Sequence, residues 1–123
     1  MGKRILIADD EEDYALLMRR HLECHDYEIV EVFRGAEVFR RLSREKFDLV
    51  ILDYFLPDIK GDRICSDLRS EEQNKDLPIL IVTGYHNMDE GMFKEYGATE
   101  VLYKPFNHEE FDTKVKYCLS GSR

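Results

Sequence analysis

Five short apolar runs punctuate the chain and constrain its fold more than any other feature. They are Ile5–Ala8, Ile29–Phe33, Leu49–Leu52, Ile79–Val82 and Val101–Tyr103. Each is three to five residues long and rich in β-branched side chains. Unbroken apolar runs of this length are the mark of strands covered on both faces, as in a parallel sheet flanked by helices. The segments between them carry helical periodicity instead. Tyr14, Leu17, Met18 and Leu22 share one face, and so do Val38, Phe39 and Leu42. Ile64, Cys65 and Leu68 form a third stripe, Met92, Phe93 and Tyr96 a fourth, and Phe111, Val115, Cys118 and Leu119 a fifth. Opposite faces are charged, as at Arg19, Arg20 and Glu23. Strand starts recur every ~20–25 residues, the length of one strand–helix unit. A strand–helix unit repeated five times predicts an α/β protein with parallel strands and right-handed crossovers.

With 123 residues the chain has the size of one domain. It can bury about two-thirds of its unfolded surface without a disulfide or metal staple. We expect the domain to occupy residues 1–119, with Ser120-Gly121-Ser122-Arg123 a frayed end or truncated linker. Acids outnumber bases 26 to 18, giving a net charge of −8, which disfavours direct nucleic-acid binding. The basic cluster Arg34, Arg40, Arg41 and Arg44 is diluted by Glu37 and Glu45. No apolar run approaches the ~20 residues that cross a membrane, so no membrane association is expected. The N-terminus lacks the pattern of a secretory signal. Cys24, Cys65 and Cys118 are odd in number and far apart, which fits reduced thiols and a cytoplasmic location.

In an open parallel sheet, ligands bind beyond the carboxyl ends of the strands, where the strand order reverses. The first strand ends in Asp9-Asp10, the third in Asp53, the fourth in Thr83-Gly84 and the fifth in Lys104-Pro105. In the flavodoxin-like order 2-1-3-4-5, a three-layer (βα)5 sandwich, the first and third strands are neighbours, so Asp9, Asp10 and Asp53 converge. At ~4 Å and an effective dielectric near 20, each like-charged pair costs about 4 kcal/mol. Such groups raise one another's pKa or recruit a cation. An all-oxygen set suits Mg²⁺, or Mn²⁺, which keeps waters for a phosphate. Lys104 adds a fixed positive charge and Thr83 a hydroxyl. Together they outline a phosphoryl site with carboxylate, metal, ammonium and hydroxyl.

Not every charged or aromatic residue here needs a function. Glu11, Glu12 and Asp13 read as the solvated start of a helix, where acids favour the dipole. His21, Cys24 and His25 share a helical turn but read as surface or half-buried side chains rather than a metal site. His86 and His108 read as residues of turns and helix starts, and Met88, Met92 and Phe93 as core.

From end to end the chain resembles the receiver domains of two-component response regulators. The matching pieces are Ile5-Leu6-Ile7-Ala8-Asp9-Asp10-Glu11, Asp48-Leu49-Val50-Ile51-Leu52-Asp53 and Leu56-Pro57-Asp58-Ile59-Lys60-Gly61. Pro78-Ile79-Leu80-Ile81-Val82-Thr83-Gly84, Tyr96-Gly97-Ala98 and Tyr103-Lys104-Pro105-Phe106 complete the set. The resemblance implies that Asp53 is the phospho-acceptor, served by a sensor histidine kinase, a histidine phosphotransfer protein or a small phospho-donor. It implies a Mg²⁺ site of Asp9, Asp10, Asp53 and the main-chain carbonyl of Phe55. Lys104 would pair with the acceptor, Thr83 would be the switch hydroxyl, Tyr103 its aromatic partner, and Lys104-Pro105 a cis peptide. Phe55 and Tyr85 would flank the phosphate and lengthen its life by shielding it from water. The fourth helix, fifth strand and fifth helix would form the readout face and the seat of a homodimer. The output, whether a separate partner or a missing domain, would lie outside these residues. Such a protein is a phospho-accepting switch rather than a turnover enzyme.

Three alternatives compete. A phosphorylation-independent binding module would not need the full acid, threonine and lysine set. A flavodoxin-like redox protein would place a Ser/Thr/Gly-rich loop where Asp9 to Asp13 stand. An aspartyl-phosphate hydrolase of another kind would want a second aspartate at the position of Phe55.

Overall fold

The computed structural model describes residues 2–120. Strands and helices alternate from the start. They run β1 (Arg4–Ala8), α1 (Glu12–Glu23), β2 (Glu28–Val32), α2 (Gly35–Arg44), β3 (Leu49–Leu52), α3 (Gly61–Arg69), β4 (Ile79–Thr83), α4 (Glu90–Glu95), β5 (Glu100–Tyr103) and α5 (His108–Leu119), with a 3-10 turn at Glu72–Asn74. All neighbouring strands pair in parallel, in the order β2-β1-β3-β4-β5. The flavodoxin-like architecture expected from the apolar runs is the one observed.

The sheet separates two cores. One face packs Val38 of α2, Ile64, Cys65 and Leu68 of α3, and Phe93 of α4 against Leu6, Val50, Ile79 and Val101. The other packs Met18 and Leu22 of α1 and Phe111, Val115 and Cys118 of α5 against Ile5, Ile51, Leu80 and Leu102. Every residue of β3 and β4 is buried, so these strands show no alternation in sequence. β2 is an edge strand with one buried residue, Val32, and its charged Glu28 and Glu31 suit an edge that must not pair further.

Two helical stripes are narrower than their periodicity suggests. Leu17 is 51% exposed, because it stands about 100° around α1 from Met18, outside the face shared by Ala15, Met18 and Leu22. Met92 and Tyr96 are also exposed, and α4, only six residues long, buries Phe93 alone. Met92 is therefore not the core residue it was expected to be, whereas Met88 is.

Two helix starts are fixed by their own capping side chains. Asn107 and Glu110 form a reciprocal capping box on α5, and Asp89 accepts from the Met92 amide on α4. The start of α2 is held from a distance. Asp58, in the β3–α3 loop, accepts from the amides of Gly35 and Ala36 at 2.7 and 3.0 Å. Burial pushes the Asp58 carboxyl up, but these amide bonds outweigh it and hold it below the usual range. The loop beside the third strand is thus pinned to a second helix.

Among the described residues Gly97, at φ 116°, is the glycine with a positive φ, and Gly61 is not. Gly61 is required for another reason. A Cβ there would stand 2.9 Å from the Tyr54 Cα and 3.1 Å from the Asp53 carbonyl oxygen, so only glycine lets α3 begin against the β3 end. Ser120 is the C-cap of α5, and its hydroxyl donates to the Tyr117 carbonyl at 2.8 Å. The other residues of the expected frayed end or linker, 121–123, lie outside the described residues.

Candidate functional site

The carboxyl ends of β1 and β3 lie side by side, in register at Ala8 and Leu52. The next residue on each chain is therefore an aspartate facing the same edge. The Asp53 amide donates to the Ala8 carbonyl at 2.9 Å, which extends the ladder one step and locks Asp53 beside Asp9. Asp9 is 1% exposed and Asp53 4%, while Asp10 is solvent-facing. Carboxylate oxygens of Asp9, Asp10 and Asp53 lie within 4.8 Å of one another. The expected convergence is present.

One cation faces them. Lys104 is 5% exposed, and its Nζ donates to Asp9 Oδ2 at 3.0 Å and Asp53 Oδ2 at 3.3 Å. A third partner is Glu11, whose Oε1 accepts at 2.5 Å. Glu11 thus differs from its expected role as a purely solvated helix start. It stands at the N-cap of α1 without a side-chain capping bond, and its carboxylate turns to the ammonium instead. The signal was present in the sequence: Glu11 is two residues from Asp9, whose Oδ1 accepts from the Glu11 amide at 2.9 Å. The Lys104 ammonium also stands 4.4 Å from the Tyr14 ring centroid.

Four carboxylates against one ammonium leave the cluster strongly negative. Burial pushes the Asp9 carboxyl up to about 6; the Asp53 charge adds to this, and the Glu11 amide and Lys104 oppose it. Burial pulls the Lys104 ammonium down, but the Glu11, Asp53 and Asp9 carboxylates more than offset this and hold it above its usual value. Lys104 is therefore a fixed positive charge. Hard oxygen donors, two of them buried and undercompensated, fit a hard divalent cation such as Mg²⁺.

Thr83 is fully buried at the end of β4, in register with Tyr103 on β5. Its carbonyl accepts from the Lys104 amide at 2.8 Å and its hydroxyl accepts from the Tyr85 amide at 3.1 Å. Tyr103 is half-buried, with its hydroxyl donating to the Met88 carbonyl at 2.5 Å. The Lys104-Pro105 peptide is cis, as expected. His86, in the β4–α4 turn, donates from Nε2 to the Lys104 carbonyl at 2.9 Å, a role the sequence did not suggest.

Phe55 and Tyr85 meet edge to face, with ring centroids 5.1 Å apart. Tyr54 stacks on Tyr85 at 5.0 Å and also touches Phe55 and Phe93. Phe93 and His86 in turn flank Tyr103, so the rings form one continuous row. Phe55 itself is 45% exposed and lies under the Lys60 ammonium. Its amide makes a long 3.4 Å contact with Asp53 Oδ1, which keeps its backbone beside the carboxylate.

Comparison with known proteins agrees with this geometry. The chain matches the model of the response regulator receiver domain over residues 5–116. It is 35% identical over 99% of its length to the alkaline phosphatase synthesis transcriptional regulatory protein PhoP of Bacillus subtilis, covering 50% of that protein. It is 33% identical over its whole length to the phosphate regulon transcriptional regulatory protein PhoB of Rhizobium meliloti, covering 55% of it. The chain thus spans about half the length of these curated relatives. The response regulator TrrA of Thermotoga maritima, solved in complex with Mg²⁺ and BeF, superposes with a TM-score of 0.85 at 33% identity, covering 95% of this chain and 99% of that one. Fold, site geometry and similarity agree: the chain belongs to the response regulator receiver domain family of two-component signalling.

Proposed function

We propose that the chain is a phosphorylation-driven switch in which Asp53 accepts a phosphoryl group with the help of a divalent cation. The observation that carries this is the convergence of buried Asp9 and Asp53 with Asp10, and the pairing of the Lys104 ammonium with the two buried carboxylates. A Asp53 carboxylate oxygen forms a bond to phosphorus as the donor's P–N or P–O bond breaks, and the leaving group keeps that electron pair. Asp9, Asp10, Asp53 and the Phe55 carbonyl would hold Mg²⁺ or Mn²⁺, and the TrrA complex with Mg²⁺ supports this choice. When bound, the cation neutralises charge on the phosphoryl oxygens and on the carboxylates. Lys104, already a fixed cation, would exchange a carboxylate for a phosphoryl oxygen.

The new group carries ≈ −1.5 to −2 charges and three acceptor oxygens. Thr83 is the hydroxyl on the neighbouring strand that would turn to it, giving up its bond from the Tyr85 amide. Tyr103, paired with Thr83 across β4 and β5, would report that change on the face of α4, β5 and α5. That face would bind an output partner, a second copy of the chain, or an output region beyond the span matched in PhoP and PhoB. The donor would be a sensor histidine kinase or a histidine phosphotransfer protein. Phe55 and Tyr85 would shield the acyl phosphate and slow its hydrolysis. Replacing both by small polar residues should then shorten the phosphate half-life, and an unchanged or longer one excludes the shielding role.

Mass spectrometry after incubation with acetyl phosphate and Mg²⁺ tests the central reading. The expected result is one phosphoryl adduct on the wild type and none on Asp53→Ala. No adduct on the wild type would instead favour a phosphorylation-independent binding module.

A further inference from the structure

A second cluster of ligating side chains stands on the other core face, between α1 and α5. His21 lies in the last turn of α1 and His25 in the turn that follows the helix, and Asp112 faces them from α5. One ring nitrogen of each histidine and a carboxylate oxygen of Asp112 lie within 4.8 Å of one another. The His21 Nε2 is 2.7 Å and the His25 Nε2 3.6 Å from Asp112 Oδ1. The buried His21 Nε2 nevertheless has no hydrogen-bond partner among the described residues. At 2.7 Å only direction is lacking: the carboxylate oxygen sits beside the ring nitrogen, not in line with it. Two nitrogens and an oxygen thus stand in ion-pair range with no hydrogen bond joining them, an arrangement that a shared ion would satisfy.

We propose that His21, His25 and Asp112 form a site for a divalent transition-metal ion of the Zn²⁺ class. Imidazole nitrogens and a carboxylate are the donors such ions prefer, whereas the acid cluster at the sheet edge offers oxygens alone. Bonds of about 2.0–2.2 Å in tetrahedral geometry separate ligand atoms by roughly 3.3–3.5 Å, a spacing that the observed contacts bracket. Cys24, the other soft ligand on this turn, is not part of the site: its thiol donates to the Arg20 carbonyl of its own helix at 3.6 Å. His108 precedes Asp112 by one turn on α5, and its ring centroid lies 5.8 Å from that of His21, so a side-chain rotation would bring it up as a fourth donor. Because the ligands come from the C-terminal end of α1, the turn after it and α5, the ion would tie α1 to α5 and stabilise the folded chain as its concentration rises.

Isothermal titration of the full chain with Zn²⁺, in excess Mg²⁺ to occupy the carboxylate edge, tests the site. The expected result is one Zn²⁺ bound, with shifts in the imidazole NMR signals of His21 and His25 and a melting temperature that rises with Zn²⁺. His25→Gln, a change at an exposed side chain, should weaken binding at least as much as the roughly 10-fold loss seen when a metal ligand loses its hydrogen-bond partner. Asp112→Asn should do the same, and neither should alter labelling of Asp53 by acetyl phosphate. Absence of Zn²⁺ binding, equal binding by both variants, or shifts confined to the carboxylate edge would overturn the proposal and leave a His–Asp contact joining two helices.

Discussion

The two ends of α1 meet charge in opposite ways. At its start, Asp9, Asp53 and Lys104 are buried to within a few per cent and answer one another through direct hydrogen bonds. Toward its end, His21, His25 and Asp112 are only partly covered, and their closest contact makes no hydrogen bond. The first cluster is a strained electrostatic balance in which each charge is felt by its neighbours. The second is a set of donors with little mutual hold. Burial and donor type, rather than the number of charged residues, decide which cluster governs stability and what each can bind.

The largest effect should come from removing the cation of the first cluster. Lys104→Met leaves Asp9 and Asp53 buried without a counter-charge. By denaturant titration at neutral pH it should lose about 3–5 kcal/mol, the range for breaking a buried pair from one side. Added Mg²⁺ should recover part of that loss. A loss below that seen on removing either histidine of the second cluster would erase the contrast.

Asp9→Asn should act in the opposite direction. The Asp9 carboxyl titrates at about 6 in the folded chain against a usual 3.8, so its ionisation opposes folding. This penalty is absent below the lower value, grows between the two and is complete above about 6. The substitution should therefore stabilise the cation-free protein by about 1–3 kcal/mol at pH 7.5, and the gain should shrink as pH falls toward 4. A gain that does not change with pH would mean that Asp9 is ionised without cost.

The smallest effect belongs to Glu11→Gln. Its carboxylate is 56% exposed although it contacts Lys104, and exposed pairs contribute about 0–1 kcal/mol. Stability should barely move, while Mg²⁺-dependent labelling of Asp53 should quicken if Glu11 competes for Lys104. Unchanged labelling kinetics would assign Glu11 to the helix start alone.

Much of the fold could be read from sequence because unbroken apolar runs such as Leu49–Leu52 leave few alternatives to a buried strand. The acid, threonine and lysine positions could be read because they gather at the carboxyl ends of strands. Less visible was what depends on facing surfaces. Leu17 and Met92 fit a helical period but stand at the margins of stripes whose width the packing sets. Asp58 holds α2 across 22 intervening residues, and Asp112 reaches His21 and His25 from α5, contacts that spacing along the chain does not encode. Close approach requires Gly61 and positive φ favours Gly97, yet both causes leave the same residue type in a sequence.

The row of rings from Phe55 to His86 bears on time as well as shape. It runs from a residue beside Asp53, through Tyr54, Tyr85 and Phe93, to Tyr103, and His86 closes it on the Lys104 carbonyl. If Tyr103 turned out of this row, Phe93 and His86 would have to give way with it. Such a rearrangement would be collective, with the μs–ms pace of such motions rather than the ps–ns pace of a lone exposed side chain. Aromatic relaxation measurements on Tyr103 would follow that clock directly.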